Sequence, residues 1–317
     1  MSFVVDTEEL RYLLNRRKFL AGSAALAAMP LMPWQALAQT SPHSFKQGDA
    51  EIVVLTDGPL EIPWNVVAPE ASPEQIAEIS KRLGISGPNA VASTNVVLVK
   101  SGSDMILFDN GCGANFVPTA GKLGANMAAA GIDPAAITKV VFTHGHPDHI
   151  FGTLKGDGTL LLPNAAYYAG ETEWNFWTDP GLASKMPAEM GGMVQGVQAN
   201  LGAVKDRVTM IKGGAEFLPG ITAVDTPGHT PGHLSFAIAG GEGLLLTADA
   251  TTNQIISFEH PEWKFAYDAI SDMAIATRKS LLDRLATDKT KLLGYHFAYP
   301  GVGFAEKKDS AYVYVAV

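Results

Sequence analysis

Cysteine is almost missing from this chain: Cys112 stands alone among 317 residues. No intramolecular disulfide can form, so stability has to come from an apolar core and from any bound metal. Cys112 lies in the small turn Asp109-Asn110-Gly111-Cys112-Gly113 with no constellation of its own, and reads as filler rather than as a nucleophile. Charge is scarce as well, at 17% of residues against 47% hydrophobic, which excludes a disordered, collagenous or coiled-coil chain. Positive charge is the scarcer sign. Beyond residue 38 there are 19 Lys and Arg (23 minus 4) against 29 Asp and Glu (32 minus 3), and the net charge of -10 disfavours nucleic acid and anionic membrane as partners. Linkers are lacking too: no Ser/Gly or charged run divides the chain after residue 50, so one domain is expected.

The N-terminus has a different character. Asn15-Arg16-Arg17-Lys18-Phe19-Leu20 puts paired arginines before an Ala-rich apolar run that ends Ala36-Leu37-Ala38, the form of a signal peptide with an A-x-A cleavage site. The paired arginines resemble the twin-arginine export signal of bacteria. Pro30, Pro33 and the many small residues argue against a spanning anchor. Residues 1–38 are therefore expected to be a leader removed near Ala38. A mature domain over residues 39–317 would then act in the periplasm, without stable membrane insertion.

After residue 50, short β-branched runs alternate with helical patterns. Ile52 to Leu55, Val96 to Val99, Met105 to Phe108, Lys139 to Phe142 and Ala165 to Tyr168 read as strands, as do Val208 to Ile211, Ile221 to Val224, Leu234 to Ala237, Leu244 to Leu246 and a run from Lys291. Ser72-Pro73-Glu74-Gln75 carries a capping box with Pro at the first helical position and predicts a helix to about Leu83. Further helices are expected over Lys122 to Ala130 and Ala269 to Leu285. The pattern implies an α/β sandwich of two sheets with helices outside. The stretch from Gly58 to Ala71, which holds Trp64, is either a flap over a site or a surface loop.

The most informative residues are Thr143-His144-Gly145-His146-Pro147-Asp148-His149. Side chains two apart on an extended strand end point the same way, so His144 and His146 can grip one ion together. Pro147 then turns the chain and can aim Asp148 and His149 at a second ion. More ligands are needed, and Thr226-Pro227-Gly228-His229, Thr247-Ala248-Asp249 and Gly294-Tyr295-His296 each follow a strand. Each has a rival reading. His233 competes with His229, Asp249 could be a helix N-cap, His296 could be structural, and Asp109 could simply form a turn before Gly111. His43 and His260 have no evident partners and read as surface residues.

This ordered set resembles the metallo-β-lactamase superfamily over nearly all of residues 50 to 300. The resemblance implies a four-layer αβ/βα sandwich with the site at the edge of two sheets. It also implies that His144, His146 and His229 hold one ion, that Asp148, His149 and His296 hold the other, and that Asp249 bridges both. Asp109 would fix a metal-bound imidazole from behind, although Asn110 stands where Thr is more usual, and His233 would be a supporting residue. The cofactors implied are two divalent ions, for which zinc suits the mixed imidazole and carboxylate set. Two such ions roughly 3.5 to 4 Å apart can hold a bridging hydroxide as nucleophile. Asp148 and Asp249 would place the water or shuttle a proton.

The bridging Asp249 argues against lactam cleavage, and His146 argues against the oxygen-reducing di-iron members. A closer likeness is to hydrolases of the methyl parathion hydrolase type and related lactonases, through Leu55-Thr56-Asp57-Gly58, Pro163-Asn164-Ala165, Glu173-Trp174-Asn175-Phe176-Trp177 and Tyr299-Pro300-Gly301-Val302-Gly303-Phe304. That likeness implies small neutral lactones, carboxylic esters or organophosphate triesters as substrates, with Phe116, Trp177 and Trp64 around them. Trp174 and Trp177, three apart on a helix, could equally be core. The polar stretch Ala250 to Gln254 favours lactones or esters over phosphotriesters. The alternatives are a glutathione-thioester hydrolase or a metal-binding protein of the same fold without catalysis. The flap offers one place for a homodimer contact.

Overall fold

The computed structural model describes residues 41–114 and 116–317. The expected leader lies outside the described residues. The first half contributes β1 (His43–Gln47), β2 (Ala50–Thr56), β3 (Leu60–Pro63), β4 (Asn89–Ala92), β5 (Asn95–Ser101), β6 (Asp104–Phe108), β7 (Lys139–Val141), β8 (Ala166–Gly170) and β9 (Val208–Ile211). The second half contributes β10 (Glu216–Leu218), β11 (Ile221–Asp225), β12 (Leu234–Ile238), β13 (Leu244–Leu246), β14 (Lys291–Leu293), β15 (Val302–Lys308) and β16 (Ala311–Ala316). One sheet runs β1-β2-β5-β6-β7-β8-β9, the other runs β10 through β16 in order, and β3 and β4 form a separate hairpin.

The central strands, β2, β5, β6 and β13 among them, carry buried apolar runs because both faces of each sheet are covered there. Side chains alternate across a strand, so Ile52 and Val54 of β2 point one way and Val53 and Leu55 the other. The first pair joins Phe108, Val141, Phe236, Ile238 and Leu246 in a core between the two sheets. The second pair joins Leu98, Leu107 and Tyr167 against helical residues such as Leu123, Met127, Val194 and Leu201. On the far side Leu245 and Leu292 pack on Leu281, Leu282 and Leu285 of the helix Ser271–Asp288. Helix, sheet, sheet, helix is the four-layer α/β order that the sequence implies.

Two local features match their signals closely. The helix Pro73–Arg82 begins with the reciprocal Ser72 and Gln75 capping box, and the helix Leu123–Ala129 fits its Ala-rich pattern. The helix Gly191–Val204 was not expected, because four of its residues are Gly. Its buried Val194, Val197, Leu201 and Val204 fall on one face, so tertiary packing outweighs the poor intrinsic propensity.

What positions the site is the sheet edge. β6 and β7 are parallel neighbours in one sheet, and β13 and β14 are parallel neighbours in the other. Parallel strands release their following residues at the same edge, the usual place for a ligand site in α/β sheets. Thr143 joins the two edges, since its carbonyl accepts from Leu234 N at 3.0 Å.

Candidate metal centre

Each site residue leaves the end of a strand. Asp109 follows β6, the His144 to His149 motif follows β7, His229 follows β11, Asp249 follows β13 and His296 follows β14. Two of these exits are strained: Asp109 has φ 60° and Ala248, just before Asp249, has φ 43°. A non-glycine residue in the left-handed region persists only where its surroundings over-determine it, as at functional sites. Asp249 lies inside the short turn Ala248–Ala250 rather than at its N-cap, which removes the capping reading.

The structure brings the whole predicted ligand set together. Candidate ligand atoms of His144, His146 and His229 lie within 4.8 Å of one another, as do those of His144, His149 and Asp249, and those of Asp148, His149 and His296. Asp249 is central. Its Oδ2 is 3.2 Å from His229 Nε2, 3.2 Å from His296 Nε2 and 4.0 Å from His144 Nε2, and its Oδ1 is 3.3 Å from His149 Nε2. Asp148 Oδ2 reaches His149 Nε2 at 3.4 Å and His296 Nε2 at 3.3 Å.

The imidazoles are held from behind. Asp109 Oδ2 is 2.8 Å from His149 Nδ1, and the same carboxylate accepts from Thr143 N and Thr143 Oγ1 at 2.8 Å each. His144 Nδ1 meets Thr143 Oγ1 at 3.0 Å, and His296 Nδ1 meets the Ser93 carbonyl at 2.9 Å. With those nitrogens engaged, the opposite ones face inward. His144 Nε2, His149 Nε2 and Asp249 Oδ1 are buried without a hydrogen-bond partner. Buried orphan acceptors are costly, and coordination to a divalent cation would satisfy each of them. The residues therefore fit one.

His233 is not in these groups and has another task. Asp249 N donates to His233 Nε2 at 3.0 Å, so Nδ1 carries the proton and donates to Thr226 Oγ1 at 2.8 Å. Burial, followed by the neighbouring His229, pushes its pKa well down, which suits a neutral ring that fixes the Asp249 backbone.

Electrostatics show how strongly the carboxylates work here. Burial opposes ionisation of Asp249, yet the charges of His296 and His149 hold it well below the usual carboxylate range. Asp148 is likewise held low against burial by His149 and His296. Burial lowers the basicity of His229, but hydrogen bonds to Asp249 and Asp268 outweigh it and raise the ring to about 9. His296 is raised to about 10 against burial, first by the Asp249 charge. His146, with burial dominant and His229 beside it, falls to about 3.

The substrate residues need correction. Trp177 is 1% exposed and belongs to the core, so it is not the wall of an open pocket. Gly145 is the reason. With no side chain there, the indole packs against the backbone of the ligand motif, and its N–H donates to Glu173 Oε1 at 2.7 Å. Trp174, partly buried, packs against the same core. Trp64 is buried in a cluster with Val66, Ile79, Ile256 and Phe265, so the Gly58 to Ala71 stretch is packed rather than a free flap. Phe116, at 37% exposed and edge-on to Phe151 at 5.8 Å, is the one of the three that is not buried. The polarity of residues 250 to 254 carries no substrate information. Asn253 Oδ1 accepts from Ile255 N and Ile256 N, Ser257 Oγ accepts from Thr252 N and Asn253 N, and Thr251 donates to Thr247.

Three buried charged residues were missed. Glu173 accepts from Gly145 N at 2.9 Å and Gly232 N at 2.9 Å, which ties the two histidine loops together. Asp57 accepts from Cys112 N, Gly121 N and Leu123 N and organises the turn below Asp109. Asp268 Oδ1 lies 2.9 Å from His229 Nδ1, the counterpart of Asp109 on the other side of the cluster.

The tight fit at Gly145 gives a direct test. A Cβ there would lie 2.4 Å from Trp177 Cδ1 and Nε1. Overpacking of this kind costs about 1–3 kcal/mol. Gly145→Ala is expected to lose that much stability in urea denaturation, and to lower turnover in the same preparation because the ligand motif must shift. Unchanged values of both would show that the indole yields freely.

Comparison with known proteins agrees with this fold. The family model described as the metallo-beta-lactamase superfamily matches residues 90–296. Among solved structures, the chain is similar to AidC, a dizinc quorum-quenching lactonase in complex with a product, at 27% identity and TM-score 0.80 over 87% of this chain and 97% of that one. It is similar to AbOPH, a hydrolase in the beta lactamase superfamily, at 29% identity and TM-score 0.81 over 87% and 97%. A probable metal-dependent hydrolase from Staphylococcus aureus, at 20% identity and TM-score 0.71 over 86% and 99%, shares the fold. None of the curated proteins matches the chain.

Proposed function

The chain belongs to the metallo-β-lactamase superfamily, and from that premise we propose that it is a dinuclear metal-dependent hydrolase of lactones and related small neutral esters. One observation carries the reading: Asp249 stands within 4.0 Å of four imidazoles that arrive from three separate strand ends. A structural carboxylate needs no such company. The similarity to a dizinc lactonase supports zinc as the ion and a lactone as the substrate.

His144, His146 and His229 would hold one cation, Asp148, His149 and His296 the other, and Asp249 would be shared. When bound, the cations would supply Lewis-acid activation of the acyl carbonyl and of water at neutral pH. The protein's own groups do the rest. Asp148 has the more open of the two carboxylates, at 13% against 5% for Asp249. It is placed to take the proton that water loses on attacking the acyl carbon, and to return it to the departing alkoxide as the acyl–oxygen bond breaks. Tyr295 fixes this residue and its neighbour. Its hydroxyl donates to the Asp148 carbonyl at 2.8 Å and its ring stacks on His149 at 4.0 Å. Phe116 offers apolar surface to the acyl or aryl part of the substrate.

The test is hydrolysis by the mature protein, with cation content measured, of an acyl-homoserine lactone, an aryl lactone, an aryl ester, methyl parathion and a glutathione thioester. Lactone turnover that chelator abolishes is the expected result. Turnover of the thioester alone would replace the proposal with a thioester hydrolase. Silence on every substrate from a chain holding two equivalents of metal would mark a binding protein.

A further inference from the structure

We propose that Arg278 is a positioning residue that fixes both the orientation of His229 and the aromatic segment 261–267 from a single point on the helix Ser271–Asp288. This rests on the cation-binding reading of the site. The connection is continuous. His229 Nδ1 is 2.9 Å from Asp268 Oδ1, and Asp268 Oδ2 accepts from Arg278 Nη2 at 3.2 Å. Arg278 Nη1 donates to the Trp263 carbonyl at 2.8 Å and the Pro261 carbonyl at 3.2 Å.

Every member of this chain is inside the protein: Arg278 and His229 are each 2% exposed and Asp268 is 5% exposed. A guanidinium out of water needs partners, and here Nη1 and Nη2 serve a carboxylate and two carbonyls while Nε is buried without one. The segment it holds lies against the cation cluster. Phe265 stacks on His229 with ring centroids 5.8 Å apart and planes 23° apart, and Tyr267 meets Phe265 edge-on at 5.5 Å. Backbone bonds complete the seam, with Ala269 N donating to the His229 carbonyl and Ile270 N to the Gly228 carbonyl.

Two functions thus converge on one side chain. Through Asp268 the guanidinium sets the direction of an imidazole that would bind a cation. Through the two carbonyls it sets the course of the aromatic segment beside that imidazole. Lysine separates these roles, because an ammonium can pair with Asp268 but cannot reproduce the planar fork.

The experiment compares the zinc-loaded wild type with Arg278→Met, Arg278→Lys and Asp268→Asn, measuring zinc retention against a competing chelator and the KM and kcat for a lactone. Loss of a hydrogen-bonding partner behind a metal ligand costs about 10- to 100-fold in metal affinity. Arg278→Met and Asp268→Asn are expected to show that loss for one of two zinc equivalents. Arg278→Lys is expected to restore most of the zinc affinity while KM stays raised. Asp268→Asn is nearly isosteric, so it decides the zinc question even where Arg278→Met does not fold. Folded variants that all hold zinc as the wild type does would overturn this assignment alone. A wild type that holds no zinc would overturn it together with the proposed function.

Discussion

Asp249→Asn is expected to weaken the binding of both cations by about 10²- to 10³-fold, so that both are lost together and turnover goes with them. The magnitude follows from pairing. Removing one partner of a buried charge set costs about 3–5 kcal/mol, and each 1.4 kcal/mol is tenfold in affinity. Asp249 is the partner of His144, His149, His229 and His296, so its loss touches all three candidate ligand groups. Asp148→Asn is the informative control, because among the described residues the Asp148 carboxylate pairs with His149 and His296 and not with the other histidines of the cluster. That variant should retain one equivalent while the Asp249 variant retains neither. Metal analysis after desalting, run beside lactone turnover, reads both. An Asp249→Asn protein holding two equivalents at full rate would mean that the carboxylate only shapes its turn, and the shared-ligand role would be lost.

That these seven side chains would meet was legible because their chemistry is local. His144, His146, Asp148 and His149 fall within one strand exit, and the remaining ligands each follow an apolar run that ends in a turn. The layers were legible for a related reason: covered sheets need residues such as Val53 and Val54 that are apolar on both faces. What stayed hidden depends on distance along the chain. Glu173 meets Gly145 N and Gly232 N across 28 and 59 residues, and Asp268 meets His229 across 39. Neither carboxylate has a neighbour in sequence that betrays its partner. Trp177 shows the converse error. A tryptophan near a metal motif suggests a pocket, yet the empty side of Gly145 draws its ring into the core. Gly145 already stood in the motif, but its effect on packing required knowing which helix lies behind it.

Removing the cations should destabilise the fold as well as silence it. A ligand bound only by the native state adds about 4 kcal/mol when its free concentration is about a thousand times Kd. For a domain of this size that corresponds to a fall in Tm of about 8–15 °C on chelation. Nothing covalent offsets the loss, since Cys112 has no partner. The cluster left behind holds His144 Nε2, His149 Nε2 and Asp249 Oδ1 buried and unpartnered. Protons then take part of the cation's place. In the cation-free chain His229 is raised to about 9 and His296 to about 10, so both are protonated at neutral pH and must lose those protons to coordinate. A raised folded-state pKa stabilises the cation-free protein fully below the ordinary histidine value, and that contribution is lost as pH rises through about 9 to 10. The Tm gap between loaded and chelated protein should therefore widen from pH 6 toward pH 9. Calorimetry of the two forms across that range, with zinc returned at the end to restore Tm and turnover, measures it directly. A chelated protein shown to be free of metal, yet melting with the loaded form at every pH, would mean that these buried histidines and carboxylates need no cation.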